Sequence, residues 1–126
     1  MEPVALCIHM ERDRLMRLSF SALPLGIRLV PVPDADLGQT LAALCGLEPF
    51  RADAPRLQLH EEMMVMAHFS DALMDRWLAV FRQNGLQPVR LKAVLTPYNQ
   101  SWNCGKLHAM LSQEAAFFEQ EKRRSR

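Results

Sequence analysis

Leu-Lys-Ala-Val-Leu-Thr-Pro, at residues 91–97, is the stretch that decides how the second half of this chain folds. Every second side chain from Val89 to Leu95 is apolar, which is the pattern of a half-buried β-strand. Pro97 has no amide hydrogen and restricts Thr96 to extended geometry, so the strand ends there. The pattern predicts a strand over residues 89–95, and the remaining elements are interpreted outward from it.

The elements around this strand predict the order strand, helix, strand, helix. Residues 63–69 form an almost purely apolar run, which at this length is typical of a central strand. Ser70 then provides an N-cap for an amphipathic helix, and Gly85 provides its stop. Beyond the strand that ends at Thr96, Asn99 or Ser101 can cap a last helix.

The first half of the chain predicts the same order of elements. They are a strand at residues 4–10, a helix at 11–23, a strand at 27–32 and a short helix at 37–45. Pro31 and Pro33 cannot donate hydrogen bonds to a sheet, which favours an edge position for the second strand. Asp34 and Asp36 are candidate N-caps for the short helix, and Gly46 is its candidate stop.

Two segments are predicted to lie outside regular structure. Residues 48–60 carry two prolines and few large apolar side chains, which predicts a connecting loop pinned to the body by Phe50. Residues 121–126 are almost all charged, which predicts a solvated, frayed end.

The two halves show a degenerate internal repeat. His9 and His68 are 59 residues apart (68 − 9), and Gly26 and Gly85 have the same separation (85 − 26). The spacing predicts pseudo-repeats at residues 4–46 and 62–112, related by a pseudo-twofold axis.

The predicted fold class is therefore α/β (α+β), with a four-stranded sheet in one domain over residues 1–126. The apolar first and third strands belong at the centre and the other two at the edges. Two arrangements fit: a ferredoxin-like split sheet, which is favoured, and a small doubly wound parallel sheet.

Composition limits the partners of the chain. Fifteen basic and fourteen acidic residues give a formal net charge of +1, so no overall field attracts nucleic acid or an anionic membrane. No apolar run is long enough to span a bilayer, and the N-terminus lacks the pattern of a secretory signal. The expected location is the cytoplasm, with nucleic acid and membrane partners disfavoured.

No cofactor or metal is predicted from the sequence. Cys7, Cys45 and Cys104 are far apart and form no Cys-x-x-Cys pair, which favours reduced, packed thiols. Cys7 and His9 lie on one strand face but supply only two metal ligands. The glycines are scattered, so no phosphate-binding loop is indicated.

Residues from Glu61 to about Glu114 resemble a bacterial domain of unknown function, number 3783. The resemblance depends on the run at 62–66, on Gly85, and above all on the stretch from Leu91 to Pro97 with Asn99 and Trp102. Upstream, residues 36–40 and Gly46 look like what often precedes that domain. The resemblance implies no activity, cofactor or catalytic residue.

A ligand site is expected at the carboxyl ends of strands, where loops meet helix N-termini. The candidate ligand-binding residues are Lys92, Thr96, Asn99, Ser101, Trp102 and His68. Free amides before Trp102, with Lys92 beside them, favour a small anion or a nucleotide. The alternative, which is favoured, is that these side chains cap the turn and helix while Lys92 covers apolar surface.

His9 and His68 end equivalent strands and are candidates for an acid–base or metal pair facing across the pseudo-twofold axis. Histidines satisfied at strand ends or in the core are the favoured alternative. An enzyme that uses His68 with Thr96 is the least supported function, and the catalytic residues stay unassigned.

The favoured functional hypothesis is a small interaction or regulatory domain without catalysis. Phe117 and Phe118 are adjacent near the end of the last helix, and two adjacent aromatic side chains cannot both face one core. This predicts a homodimer through that helix or through an edge strand. The small-anion site around Lys92 is the alternative function.

Overall fold

The chain runs through strand, helix, strand and helix twice. The structure is a computed structural model and describes residues 1–125. Its strands are β1 (Val4–Ile8), β2 (Arg28–Val32), β3 (Met63–Ala67) and β4 (Leu91–Val94), and its helices are α1 (Arg12–Ala22), α2 (Leu41–Leu44), α3 (Asp71–Gln83) and α4 (Cys104–Arg124). Single 3-10 turns follow α1 at Leu23–Leu25 and β2 at Asp34–Asp36.

The four strands form one sheet in the order β2-β1-β3-β4. The pairs β1–β2 and β3–β4 are parallel, and the central pair β1–β3 is antiparallel. The predicted mixed α/β class is confirmed, and so are the central positions of β1 and β3 and the edge positions of β2 and β4.

Neither of the two predicted strand arrangements is the observed one. A ferredoxin-like split would insert the third strand between the first two, but β1 and β2 are direct neighbours from Val4–Arg28 to Ile8–Val32. A doubly wound parallel sheet is also wrong, because β1 and β3 run in opposite directions. The apolar runs require central positions in every one of these sheets, so burial alone does not select among them.

Helices cover both faces of the sheet, because alternate side chains of the central strands point to opposite sides. Val4, Leu6 and Ile8 of β1 belong to a core with α2 and α4. Ala5 and Cys7 belong to a second core with α1 and α3. Every residue of β1 and β3 is buried, as their apolar sequences predicted.

The strand-to-helix turns at both central strands have left-handed backbone. His9 has a φ of 53° and His68 a φ of 65°, and Gly26 and Gly85 also have positive φ. A left-handed residue cannot continue a strand, so β1 ends at Ile8 instead of at the predicted Met10. These four residues are the ones that the 59-residue spacing selected.

The helices after β2 and β4 begin later than predicted, and they contact each other. Thr40 caps α2, in place of Asp34 or Asp36, and Asn103 caps α4, in place of Asn99 or Ser101. Thr40 and Asn103 form an isolated antiparallel bridge. The first amides of α2 donate to the carbonyl oxygens of the turn before α4, with Leu41 N bonded to Trp102 O at 2.8 Å. This contact joins the two halves outside the sheet.

Residues 48–60, called the strap below, form the predicted loop without regular structure. Leu57 and Leu59 pack against the α2–α4 core. The buried amide group of Gln39 accepts from Arg51 N and donates to Arg51 O, both at 2.8 Å. Phe50 does not pin the loop, because its side chain is 53% exposed.

The helix α4 extends well past the sheet. Its 21 residues span about 31 Å, whereas the four residues of β4 span about 13 Å. Residues 116–124, called the projecting end below, are exposed throughout. Of the end that was predicted to fray, residues 121–124 are helical, and residue 126 lies outside the described part. None of the helices within residues 1–125 is both long and apolar enough to cross a lipid bilayer.

Candidate functional site

The predicted ligand-binding turn is held by a dense set of local hydrogen bonds. Asn99 Oδ1 accepts from Thr96 N at 2.9 Å, and Asn99 Nδ2 donates to Val94 O at 3.0 Å. Thr96 Oγ1 accepts from the amides of Tyr98 and Asn99, both at 3.2 Å. The Thr96 hydroxyl and the buried Asn99 amide therefore act first as structural caps for the turn.

The backbone amides of this turn also have partners inside the protein. Gln100 N donates to Thr96 O at 3.0 Å, and Trp102 N donates to Asn99 O at 2.9 Å. Of the amides expected to be free before Trp102, those of Tyr98, Asn99 and Gln100 are therefore engaged, whereas Ser101 N makes no hydrogen bond within residues 1–125. An anion bound at this turn would be held mainly by side chains.

Four of the six predicted residues meet in one pocket between β4, the turn and α4. Lys92, Thr96, Asn99 and Trp102 line a cavity of about 220 Å³, which also contacts Tyr98. The Tyr98 ring meets the Trp102 ring edge to face at 5.9 Å. Aromatic side chains, a lysine, the Glu114 carboxylate and apolar side chains of α4 therefore surround the opening.

The lysines near this pocket are partly engaged already. Lys92 Nζ donates to Val89 O at 2.9 Å. Lys106 Nζ lies 4.7 Å from the centre of the Trp102 ring, which is a cation–π contact. Lys106 was not predicted as a site residue. It lies four residues after Trp102, in the first turn of α4, which brings its side chain back over the Trp102 ring.

Ser101 and His68 do not line the same pocket as the other four predicted residues. Ser101 borders a separate groove with Gly38, Gln39 and Thr40. Thr96 Oγ1 is bonded to backbone amides, and within residues 1–125 no side-chain hydrogen bond joins it to His68. The geometry therefore assembles no acid–base pair from Thr96 and His68.

His9 and His68 lie at opposite ends of the antiparallel central pair. Val4 is paired with Ala67, and Ile8 with Met63. Six residue steps along the strands separate the two histidines, a distance of roughly 20 Å. The prediction that they face each other is wrong, because it depended on a parallel central pair.

A second site, which the sequence analysis did not predict, lies at the carboxyl ends of β1 and β2. His9, Asp34, Arg56 and His60 line a groove of about 570 Å³, and an adjoining groove of about 530 Å³ shares His9 and Asp34. The ring centres of His9 and His60 are 6.3 Å apart. We call this the His9 crevice. In the sequence, this site was indicated only by the positions of His9 and Asp34, each of which follows a strand of one predicted unit. Nothing in the sequence of the strap indicated that Arg56 and His60 would join them.

The cysteines are buried and have weakly acidic thiols. Burial raises the pKa of Cys7 to about 12, and the Glu62 carboxylate beside it adds to this rise. Burial likewise raises the pKa of Cys104 to about 12 and that of Cys45 to about 11. These groups stay as thiols at neutral pH, and a thiol is neither the nucleophile nor the metal ligand that a thiolate is.

Side chains that could bind a metal are not clustered. Within residues 1–125, no group of three or more His, Cys, Asp or Glu side chains is arranged to hold a metal ion. Glu62 is instead committed to Arg14, whose Nε and Nη2 donate to the two carboxylate oxygens at 2.7 and 2.9 Å.

The fold and its pockets define an α/β domain of two adjacent strand–helix–strand units, with helices on both faces of a mixed sheet. Residues 62–118 match the family model described as a domain of unknown function (DUF3783). This segment belongs to that family, and it contains β3, α3, β4 and α4 as far as Phe118. The upstream residues 36–46 lie outside the matched range. No curated protein and no solved structure matches the chain.

Proposed function

We propose that this chain is an interaction domain that pairs with a second copy of itself through the projecting end of α4. The observation that carries the proposal is the exposure of two adjacent aromatic side chains there, Phe117 at 58% and Phe118 at 68%. Exposed neighbouring aromatics on a helix that leaves the body are typical of an interaction surface.

The apolar stripe of α4 continues into the projecting end. Leu107 is buried, and Leu111 and Ala115 are half-buried against the α2–α4 core. Phe118 follows Leu111 by seven residues, so it lies on the same side of the helix. The side that packs on the sheet thus has an apolar extension with no sheet beneath it.

Polar contacts fix the helix orientation that exposes Phe117. Glu61 bridges His108 Nε2 at 3.0 Å and Arg90 Nη1 at 3.1 Å, and Arg90 Nη2 reaches Glu119 Oε1 at 3.2 Å. Phe117 follows His108 by nine residues, which is two and a half helical turns, so the two side chains lie on opposite sides of the helix. It therefore faces away from this network and into solvent.

The charges along the helix favour a second copy as the partner. Acidic residues come first, at Glu114, Glu119 and Glu121, and the basic run at 122–124 follows. In an antiparallel pair of α4 helices centred on Phe118, Glu114 of one copy lies opposite Lys122 of the other, because each is four residues from the centre. This pair of opposite charges favours an antiparallel register around the phenylalanines.

A separate part of the proposal is that the chain is an internal duplication. In the central pair, Val4 faces Ala67 and Ile8 faces Met63. An offset of 59 residues turns Val4 into Met63 and Ile8 into Ala67, so the two pairs are equivalent under the proposed repeat. The caps Thr40 and Asn103 are 63 residues apart (103 − 40) and also pair with each other. We interpret the chain as two copies of one unit associated across β1 and β3, at residues 4–46 and 62–112.

The first prediction is that Phe117→Ser combined with Phe118→Ser converts a dimer into a monomer. The substitutions remove the apolar surface of the contact but no side chain of the two sheet cores, so the fold should be retained. The melting temperature should fall only by the stabilisation that association supplies. Sedimentation velocity at micromolar concentration measures the change.

The matched control is Phe20→Ser combined with Leu23→Ser. These side chains are 73% and 79% exposed at the end of α1, on the opposite face of the sheet, so the control removes similar apolar surface. It should remain dimeric. A wild-type chain that sediments as a monomer throughout, or a control that dissociates equally, would refute the proposal.

A small ligand in the Lys92–Trp102 pocket is the second candidate function. It is favoured by the convergence of Lys92, Thr96, Asn99 and Trp102 on one cavity of about 220 Å³. Because most amides of the turn have internal partners, the anionic group of a nucleotide or carboxylate would be met by Lys92, on the side of the pocket away from Glu114, and its planar part by Tyr98 and Trp102.

The second prediction is that such a ligand raises the melting temperature. At a hundred times its dissociation constant, a ligand stabilises the folded state by about 2.7 kcal/mol. Lys92→Ala should remove the shift in thermal unfolding, and Lys122→Ala on the projecting end should not. An unchanged melting temperature with phosphates, nucleotides and carboxylates would exclude this second function.

A further inference from the structure

The His9 crevice lies where the connections of two adjacent parallel strands diverge. β1 leads to α1 on one face of the sheet, whereas β2 leads through Asp34–Asp36 to α2 on the other face. In α/β sheets, an opening forms outside the carboxyl ends of strands whose connections separate in this way, and ligands bind there. The two adjoining grooves of about 530 and 570 Å³ occupy that position.

The backbone brings His9 to the middle of this opening. Its φ of 53° turns the chain sharply at the end of β1, and its side chain borders both grooves. A left-handed residue other than glycine costs about 1–2 kcal/mol, and such residues cluster at binding sites. His60, from the strap, meets the His9 ring edge to face at 6.3 Å.

The side chains of the larger groove supply more hydrogen-bond donors than acceptors. Arg56 contributes a guanidinium group, and His9 and His60 contribute ring nitrogens. Asp34 is the carboxylate of the same groove. An arginine and two imidazoles suit a phosphate or carboxylate group, and the Asp34 carboxylate suits a hydroxyl donor on the same molecule.

We propose that the His9 crevice binds a small hydroxylated molecule that carries one anionic group. Arg56 and the two imidazoles hold the anion, and Asp34 accepts a hydrogen bond from the hydroxyl group. The site is separate from the pocket around Lys92, because it lies at the opposite end of the strands from the Thr96 turn. The residues that line it come from the strap and the first half of the chain and not from the projecting end of α4.

The four histidines provide the test, because two belong to the crevice and two do not. In an NMR titration at constant ionic strength, inorganic phosphate or acetate should move the imidazole signals of His9 and His60 saturably and leave those of His68 and His108 in place. Whichever anion does so identifies the anionic group. Signals that do not move, or four signals that move together, would overturn the proposal.

Variants of the exposed charges separate binding from folding. Arg56→Gln should weaken the binding of inorganic phosphate by about tenfold or more, because it removes a charge-assisted contact. Arg76→Gln, which alters an exposed arginine of α3 in another groove, should leave binding unchanged. Unmoved signals of His68 and His108 show that each variant is folded. Equal binding by the two variants would contradict the role of Arg56.

The Asp34 contact has its own test. Glycerol 3-phosphate supplies hydroxyl groups together with the anion, so it should bind more tightly than inorganic phosphate to the unsubstituted chain. Asp34→Asn should reduce that difference, because a neutral amide oxygen is a weaker acceptor than a carboxylate. Equal affinities for the two probes in the unsubstituted chain would overturn the role of Asp34.

Discussion

Gly38→Ala will destabilise the native fold by on the order of 3 kcal/mol, the upper range for overpacking. A Cβ atom at this position would lie 1.8 Å from the carbonyl oxygen of Pro55 and 2.8 Å from its carbonyl carbon. Both atoms belong to the backbone of the strap, so no side-chain rotation relieves the clash. The strap must move away from the residues before α2.

Movement of the strap would break several contacts at once. The buried Gln39 amide would lose both hydrogen bonds to Arg51, and Leu57 and Leu59 would separate from the α2–α4 core. A buried amide without partners is itself unfavourable by about 1–3 kcal/mol. The strap is therefore a packed layer of the domain, although it contains no helix or strand.

Urea unfolding measures the effect, with Gly26→Ala as the control. Gly26 has a φ of 71°, but no neighbouring atom lies within 4 Å of the place where an added Cβ would sit. Its substitution therefore adds backbone strain of about 1–2 kcal/mol without a clash. Gly38→Ala should also make the strap more sensitive to limited proteolysis, and Gly26→Ala should not. Similar midpoints and similar cleavage for the two variants would contradict this account of the strap.

The sequence predicts the parts of the fold that depend on burial. The apolar runs at 4–8 and 63–67 identified the central strands, and Pro31 identified an edge strand. The direction of β3 relative to β1 was not predictable, because an apolar strand is buried equally well in either direction. That direction is set by the path of the strap and by the contact between Thr40 and Asn103, and both depend on partners distant in the sequence.

The same distinction explains which site residues were found. Lys92, Thr96, Asn99 and Trp102 are close in sequence, so a strand followed by a turn was enough to bring them together. The His9 crevice combines a strand end with residues of the strap. His9 and His60 are 51 positions apart (60 − 9), and no periodic pattern in the intervening sequence links them. Packing between distant segments formed that site.

Trp77→Ala will destabilise the domain by about 3–5 kcal/mol, the range for removing a buried aromatic side chain. Trp77 is fully buried between α3 and the sheet, where it meets Phe81 edge to face at 5.7 Å. Its indole N–H donates to Met64 Sδ at 3.3 Å. The free energy of unfolding falls for two reasons: the substitution leaves a large cavity, and it removes a contact between α3 and a central strand.

The next residue of α3 provides the control for this prediction. Leu78 is 38% exposed, so Leu78→Ala leaves little cavity and should destabilise the domain by no more than about 1 kcal/mol. Trp102 remains as a fluorescent reporter of urea unfolding in both variants. A midpoint that falls with an unchanged slope would show lost native stability rather than a changed unfolded state.

Trp77→Phe separates the two contributions of the indole. It keeps most of the apolar contact with Phe81 but removes the hydrogen bond to sulfur, so its effect should lie between those of Trp77→Ala and Leu78→Ala. Because Met64 lies on β3, beside Cys7 of β1, this side chain stabilises the antiparallel central pair that joins the two halves. If Trp77→Ala proved no more destabilising than Leu78→Ala, α3 would not be a principal support of that pair. The proposed association of two units across the sheet would then lose its main packing contact on this face.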